Sequence, residues 1–108
     1  MNLIQTAIEQ IYSYVISAFN ITVVEDKKQI RIFIINDVLS ETERFIMDNL
    51  NPSYRSIFNT YLSNVLRDKN SEEYMTLLLQ NLEHIPNYEY LLEGRMNGLK
   101  IKLLQELV

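Results

Sequence analysis

Leu91–Leu104, "LLEGRMNGLKIKLL", holds both glycines of the chain and three of its ten basic residues. How this stretch is read decides the fold class. Asn97-Gly98 is a strong signal for the two-residue turn of a β-hairpin, and Leu99-Lys100-Ile101-Lys102-Leu103 alternates with a period of two. A turn there sets Met96 against Leu99, Gly94 against Ile101 and Leu92 against Leu103, so that one face is almost wholly apolar. The other face pairs Glu93 with Lys102 but opposes Arg95 to Lys100, a like-charged pair that counts against the hairpin. The alternative is a helix with Leu92, Met96, Leu99, Leu103 and Leu107 at helical spacing. That helix carries Gly94 and Gly98 at a cost of about 1 kcal/mol each relative to alanine. It also throws Lys100 and Lys102 about 200° apart. The alternation favours the hairpin.

Working outward, Asn20–Asn36 reads as a second hairpin. "NITVVE" and "IRIFIIN" are rich in β-branched residues, and "DKKQ" between them supplies polar turn residues. On a strand Ile30, Ile32 and Ile34 share one face while Arg31, Phe33 and Ile35 share the other. With both faces largely apolar, the strands need cover on both sides or pairing across an interface.

The rest of the chain reads as helix. Residues 3 to 19 place Ile4, Ile8, Ile11, Val15 and Phe19 three or four apart. Ser40-Glu41-Thr42-Glu43 fits a capping box that opens a short helix ending near Leu50. Asn51 then caps, and Pro52 begins, a helix with Tyr54, Ile57, Phe58, Tyr61, Leu62, Val65 and Leu66 on a broad apolar stripe. "RDKN" breaks it, and Asn70 or Ser71 caps a third helix with Tyr74, Leu77, Leu78 and Leu82 that stops before Pro86. The expected fold is therefore α+β and helix-rich: an N-terminal helix, a β-hairpin, three helices, then a C-terminal hairpin or, in the alternative, a C-terminal helix. All 108 residues are expected to form one domain, since no linker, repeat or low-complexity tract divides them.

Composition narrows the function classes. The 47% hydrophobic and 22% charged residues are those of a globular protein. A formal charge of −4 argues against a dedicated nucleic-acid binder. With no cysteine there is no disulfide, thiolate nucleophile or cysteine zinc site. The start lacks the positive region of a secretory signal, and the longest uncharged run, Gln10–Val24, is too short to span a membrane. A cytoplasmic location is expected.

No catalytic, cofactor or metal residues are assigned. His84, the single histidine, is expected to favour the last carbonyls of a helix rather than to ligate or catalyse. Asp37, Glu41, Glu43 and Asp48 form an acidic group of the kind that can hold a divalent ion, but acids in a first helical turn are expected anyway. No GxGxxG, P-loop or GxSxG pattern occurs. Tyr12 and Tyr14 lie on different sides of the first helix, and Tyr54, Phe58 and Tyr61 read as core or boundary residues.

Two surfaces remain. Lys27, Lys28 and Arg31 flank the first hairpin turn and Arg95, Lys100 and Lys102 the second, so one sheet would gather six cations into a binding patch. The simpler account is that lysines keep turns and edges solvated. Phe33, Ile35, Tyr88 and Tyr90 are candidate interface residues. The leading expectation is a non-enzymatic binding or regulatory protein, acting through protein contacts as a homodimer. A nucleic-acid-associated protein using the basic hairpins comes second, and a small enzyme with a site assembled by the fold comes third.

Overall fold

The computed structural model of the chain describes residues 2–65 and 72–106. Five helices account for its regular structure: α1 (Leu3–Ala18), α2 (Val24–Asn49), α3 (Pro52–Val65), α4 (Glu72–Leu82) and α5 (Tyr88–Glu106). There is no strand among the described residues. The α+β expectation is thus wrong: α2 begins within the first expected hairpin and α5 takes the place of the second.

The first correction falls on Asn20–Asn36. Asn20 is not the start of a strand but the left-handed residue that ends α1, with φ of 51°. Behind it, the Asn20 N–H donates to the Ser17 carbonyl at 3.4 Å and the Ile21 N–H to that of Ile16 at 3.1 Å. Together these form the Schellman pattern that satisfies the last carbonyls of a helix. "VEDKKQ" is then the opening of α2 rather than a turn, with Glu25 and Asp26 in the first turn, where the helix dipole favours acids. The Gln29 amide donates to the Glu25 carboxylate at 3.2 Å across one turn. "IRIFII" is apolar in nearly every position, so it satisfies any period. The burial pattern discriminates: Ile34 and Val38 are fully buried, Ile32 and Phe33 are exposed, and Thr42 continues the stripe. The buried Thr42 hydroxyl donates to the Val38 carbonyl one turn back at 2.8 Å.

The same continuity removes the expected capping box. Ser40 and Glu43 lie inside α2 and cap nothing. The box that does form is at the start of the chain, where Asn2 and Gln5 satisfy each other's backbone N–H at 2.8 and 3.1 Å. Asn51 and Pro52 start α3 as expected. The Asn51 side chain accepts from Ser53 N–H at 2.9 Å, and its carbonyl accepts from Tyr54 and Arg55. Of the remaining expectations, Leu66, the "RDKN" break, a cap at Asn70 or Ser71, and Leu107 lie outside the described residues.

The C-terminal alternative is the one realised. In α5, Leu92, Met96, Leu99 and Leu103 are buried at spacings of four, three and four. Neither glycine has a positive φ, and neither does Asn97, so no type I′ turn exists. The period of two in Leu99–Leu103 arises because Lys100 and Lys102 leave the buried stripe on opposite sides of a helix while Ile101 is exposed.

The chain divides into two compact units, Met1–Thr42 with Glu89–Val108, and Glu43–Tyr88. Unit 1 consists of α1, most of α2 and nearly all of α5 around Ile4, Ile8, Ile11, Val15, Ile34, Val38, Leu92 and Leu103. Unit 2 consists of the end of α2, α3 and α4 around Phe45, Ile46, Leu50, Phe58, Tyr74, Leu78, Leu82 and Ile85.

Candidate functional site

In unit 1 the residues between the core and the surface decide what is left open. Arg31 on α2 reaches α1, donating from both terminal nitrogens to the Glu9 carboxylate, one of them at 3.2 Å. Its guanidinium also lies 5.1 Å from the centre of the Tyr12 ring. The hydrogen-bonded guanidinium holds Glu9 below the usual carboxylate range, and the carboxylate holds Arg31 higher still. On α5, Arg95 donates to Glu41 of α2 at 3.0 Å, and Lys102 lies 3.8 Å from Glu106 one turn on.

The expected basic patch is therefore rearranged. Lys27 and Lys28 stay in the first turns of α2, with Lys28 exposed. Arg95 and Lys102, seven residues apart, share one side of α5 beside Glu41 and the two glycines. Lys100 faces another side, with its ammonium 4.5 Å from the Tyr14 ring centre on α1. Three of the six cations, Arg31, Arg95 and Lys102, are paired with carboxylates of their own chain. The hairpin geometry that would have gathered all six is absent among the described residues.

The proposed interface set separates likewise. Phe33 is 43% exposed and Ile35 only half-buried, because two positions on a helix are about 200° apart. Tyr90 is 79% exposed while Tyr88 is half-buried. Tyr12 and Tyr14 do lie on different sides of α1, one under Arg31 and the other under Lys100.

The tyrosine–lysine contact closes one end of a half-open groove of about 450 Å³ between α1 and α5. Its floor is apolar: Ala7 and Ile11 from α1, Leu92 and Met96 from α5, all buried. Its rim is polar, with Thr6 and Gln10 facing Glu93 and Asn97. Glu93 and Lys100 are the only charged side chains on it, and among the described residues neither has an ion-pair partner. A groove of this size, apolar below and sparsely polar above, matches the general form of a binding site. Of its residues only Lys100 belongs to the binding patch expected from the sequence. The legible signal was the helical reading of α5, in which Glu93, Met96, Asn97 and Lys100 fall at i, i+3, i+4 and i+7 on one face.

Unit 2 offers a different surface. Tyr54, Ile57 and Tyr61 on α3 are 45%, 54% and 57% exposed at helical spacing, while Phe58 behind them is buried. Of the three aromatic residues expected in the core or at its boundary, only Phe58 is fully internal. The exposed His84 ring stacks on Tyr54 at 4.6 Å and 10°. Its backbone N–H, rather than its ring, meets the end of α4, donating to Asn81 at 3.2 Å. The acidic group also disperses: Glu41 accepts from Arg95, and Glu43 accepts from the buried Tyr74 hydroxyl. No three histidine, aspartate or glutamate side chains come within metal-binding reach among the described residues. No described helix is long and apolar enough to cross a membrane.

Comparison with known proteins found no matching family model, no matching curated protein and no matching solved structure.

Proposed function

We propose that this chain is a non-enzymatic binding or regulatory protein that acts through protein contacts and works as a homodimer. The observation that carries the reading is the groove between α1 and α5, with its apolar floor and two rim charges that have no ion-pair partner among the described residues. A small domain leaves much apolar surface uncovered, and pairing with a copy covers it. The exposed Tyr54, Ile57 and Tyr61 of α3 add a second apolar face of the kind that marks contact surfaces. The nucleic-acid reading receives no comparable support, because three of its six cations are drawn into ion pairs. A pocket gathering His84 with two or more carboxylates would promote the enzyme reading; the His84 ring stacks on Tyr54.

Light scattering on the purified chain over a micromolar dilution series tests the assignment. A mass of twice 12.8 kDa that falls on dilution is expected. A mass of one chain throughout, together with no captured partner, removes the reading.

A further inference from the structure

We infer that the occupant of the α1/α5 groove is the same α1/α5 face of a second copy, with the two α5 helices antiparallel about a two-fold axis between Met96 and Asn97. This inference rests on the homodimer reading above and deepens it. A two-fold interface must be self-complementary, so that residue i meets j and j meets i. The groove face of α5 has that property in its order of residues. Glu93 and Lys100 lie equally far from the 96–97 midpoint, with Met96 and Asn97 beside it. Running two such faces antiparallel places Glu93 of each chain opposite Lys100 of the other. The centre is then formed by Met96 and Asn97, over the buried Ile11 and Leu92.

Charge complementarity selects a second copy over other occupants. Arg31, Arg95 and Lys102 of the same unit each have a carboxylate within their own chain. Glu93 and Lys100, the two charges on the groove, have none among the described residues. They cannot satisfy each other either: seven residues of helix set them about 10 Å apart. Lys100 is meanwhile steadied on the Tyr14 ring at 4.5 Å, which fixes its charge at one end of the groove. A second copy supplies an acid opposite Lys100 and a base opposite Glu93 in one operation. Opposed potentials of this kind fix register and reject wrong partners.

The test uses two full-length variants, Glu93→Lys and Lys100→Glu, followed by sedimentation velocity, with far-UV circular dichroism to confirm helix content. Each variant alone puts like charges at both ends of its own dimer, so its dissociation constant rises by about tenfold or more. Mixed together, the two variants restore opposite charges at both ends and form a heterodimer about as tight as the parent. If Lys100→Glu loses helix content, Glu93→Gln and Lys100→Gln take their place. Each then weakens the dimer less than a reversal does. Recovery of dimer on mixing the reversed pair supports the inference. A parent dimer that both reversals leave unchanged overturns this geometry while the homodimer reading stands. A parent chain that stays monomeric at every concentration overturns both.

Discussion

Unit 1 and unit 2 bury similar aliphatic side chains but are finished differently. In unit 1 the helices are tied at the surface by charged groups: Arg31 to Glu9 and Tyr12, Arg95 to Glu41, and Lys100 over Tyr14. In unit 2 large rings fill the centre, with Phe45, Phe58 and Tyr74 almost fully buried and the Tyr74 hydroxyl donating to Glu43. The contrast separates two kinds of stabilisation. Exposed ion pairs contribute little each and respond to pH and salt. Buried rings contribute much and respond to volume. Unit 1 also has a groove whose two rim charges, Glu93 and Lys100, have no ion-pair partner among the described residues.

The largest expected effect is at the buried rings. Phe58→Ala should cost about 3–5 kcal/mol, the usual range for deleting a buried aromatic ring, against about 2–5 kcal/mol for Leu103→Ala in unit 1. Denaturant unfolding gives the magnitudes, and hydrogen exchange shows where each falls. Protection lost first in α3 and α4 for Phe58→Ala keeps the two units distinct. Equal early loss in α1 would mean that they open together.

Next is the hydrogen bond from Tyr74 to Glu43. Burial, with the hydrogen bond to Glu43 behind it, pushes the Tyr74 hydroxyl well above its ordinary pKa. A group raised in the folded state contributes stability that is complete below its unfolded pKa, about 10 for tyrosine, and is lost as pH climbs beyond it. The protein should therefore destabilise above about pH 10. Tyr74→Phe should cost about 1–2 kcal/mol at neutral pH through the lost bond, and it should flatten that alkaline decline. A decline of unchanged slope in the variant would place its cause elsewhere.

Smaller, and opposite in sign, are the glycines of α5. A Cβ built on Gly94 or Gly98 meets nothing within 4 Å. Gly94→Ala and Gly98→Ala should each stabilise by about 1 kcal/mol, since alanine is the better helix former and there is room for it. A loss at either position would argue for a turn or for close packing against another chain there. The least effect is expected at the Glu9–Arg31 tie. Glu9 is lowered in the folded state, so its contribution is present above the ordinary carboxylate pKa and lost as pH falls through the lowered value. In melting curves between pH 2 and 6, Glu9→Gln should show a shallower acid decline than the parent. An identical acid decline would show that the tie contributes nothing measurable.

What the sequence revealed depended on how long each pattern ran. α1 was legible because Ile4, Ile8, Ile11 and Val15 recur among polar residues over about three turns. The start of α3 was legible because Asn51-Pro52 permits little else. Asn20–Asn36 misled because a six-residue run that is apolar at all but one position, Arg31, carries no period. Its helical register becomes visible only when Ile34, Val38 and Thr42 are read together. Ser40–Glu43 misled for the opposite reason, since a capping motif inside a helix has no orphan amides to satisfy. At Asn97-Gly98 a local turn signal was outweighed by the burial of Leu92, Met96, Leu99 and Leu103 along one stripe. Three cations of the candidate patch were visible as charges but not as partners, because each bond to Glu9, Glu41 or Glu106 requires the helix. The groove was invisible for the same reason: its two walls are about ninety residues apart in the chain and meet only in the folded unit.

The most direct measurement of the central claim, a dimer built on antiparallel α5 helices, is an intermolecular distance. The chain has no cysteine, so a single introduced cysteine takes a spin label at one site. Gly94 and Gln105 are both exposed and lie on nearly the same side of α5, eleven residues apart. About a midpoint at 96–97, two labels at Gly94→Cys are offset by about 8 Å along the helix axis and two at Gln105→Cys by about 26 Å, at 1.5 Å per residue. Pulsed dipolar spectroscopy should therefore report a clearly longer distance for Gln105→Cys than for Gly94→Cys. Equal distances from the two sites, as parallel helices would give, or no intermolecular coupling at either, would contradict the account.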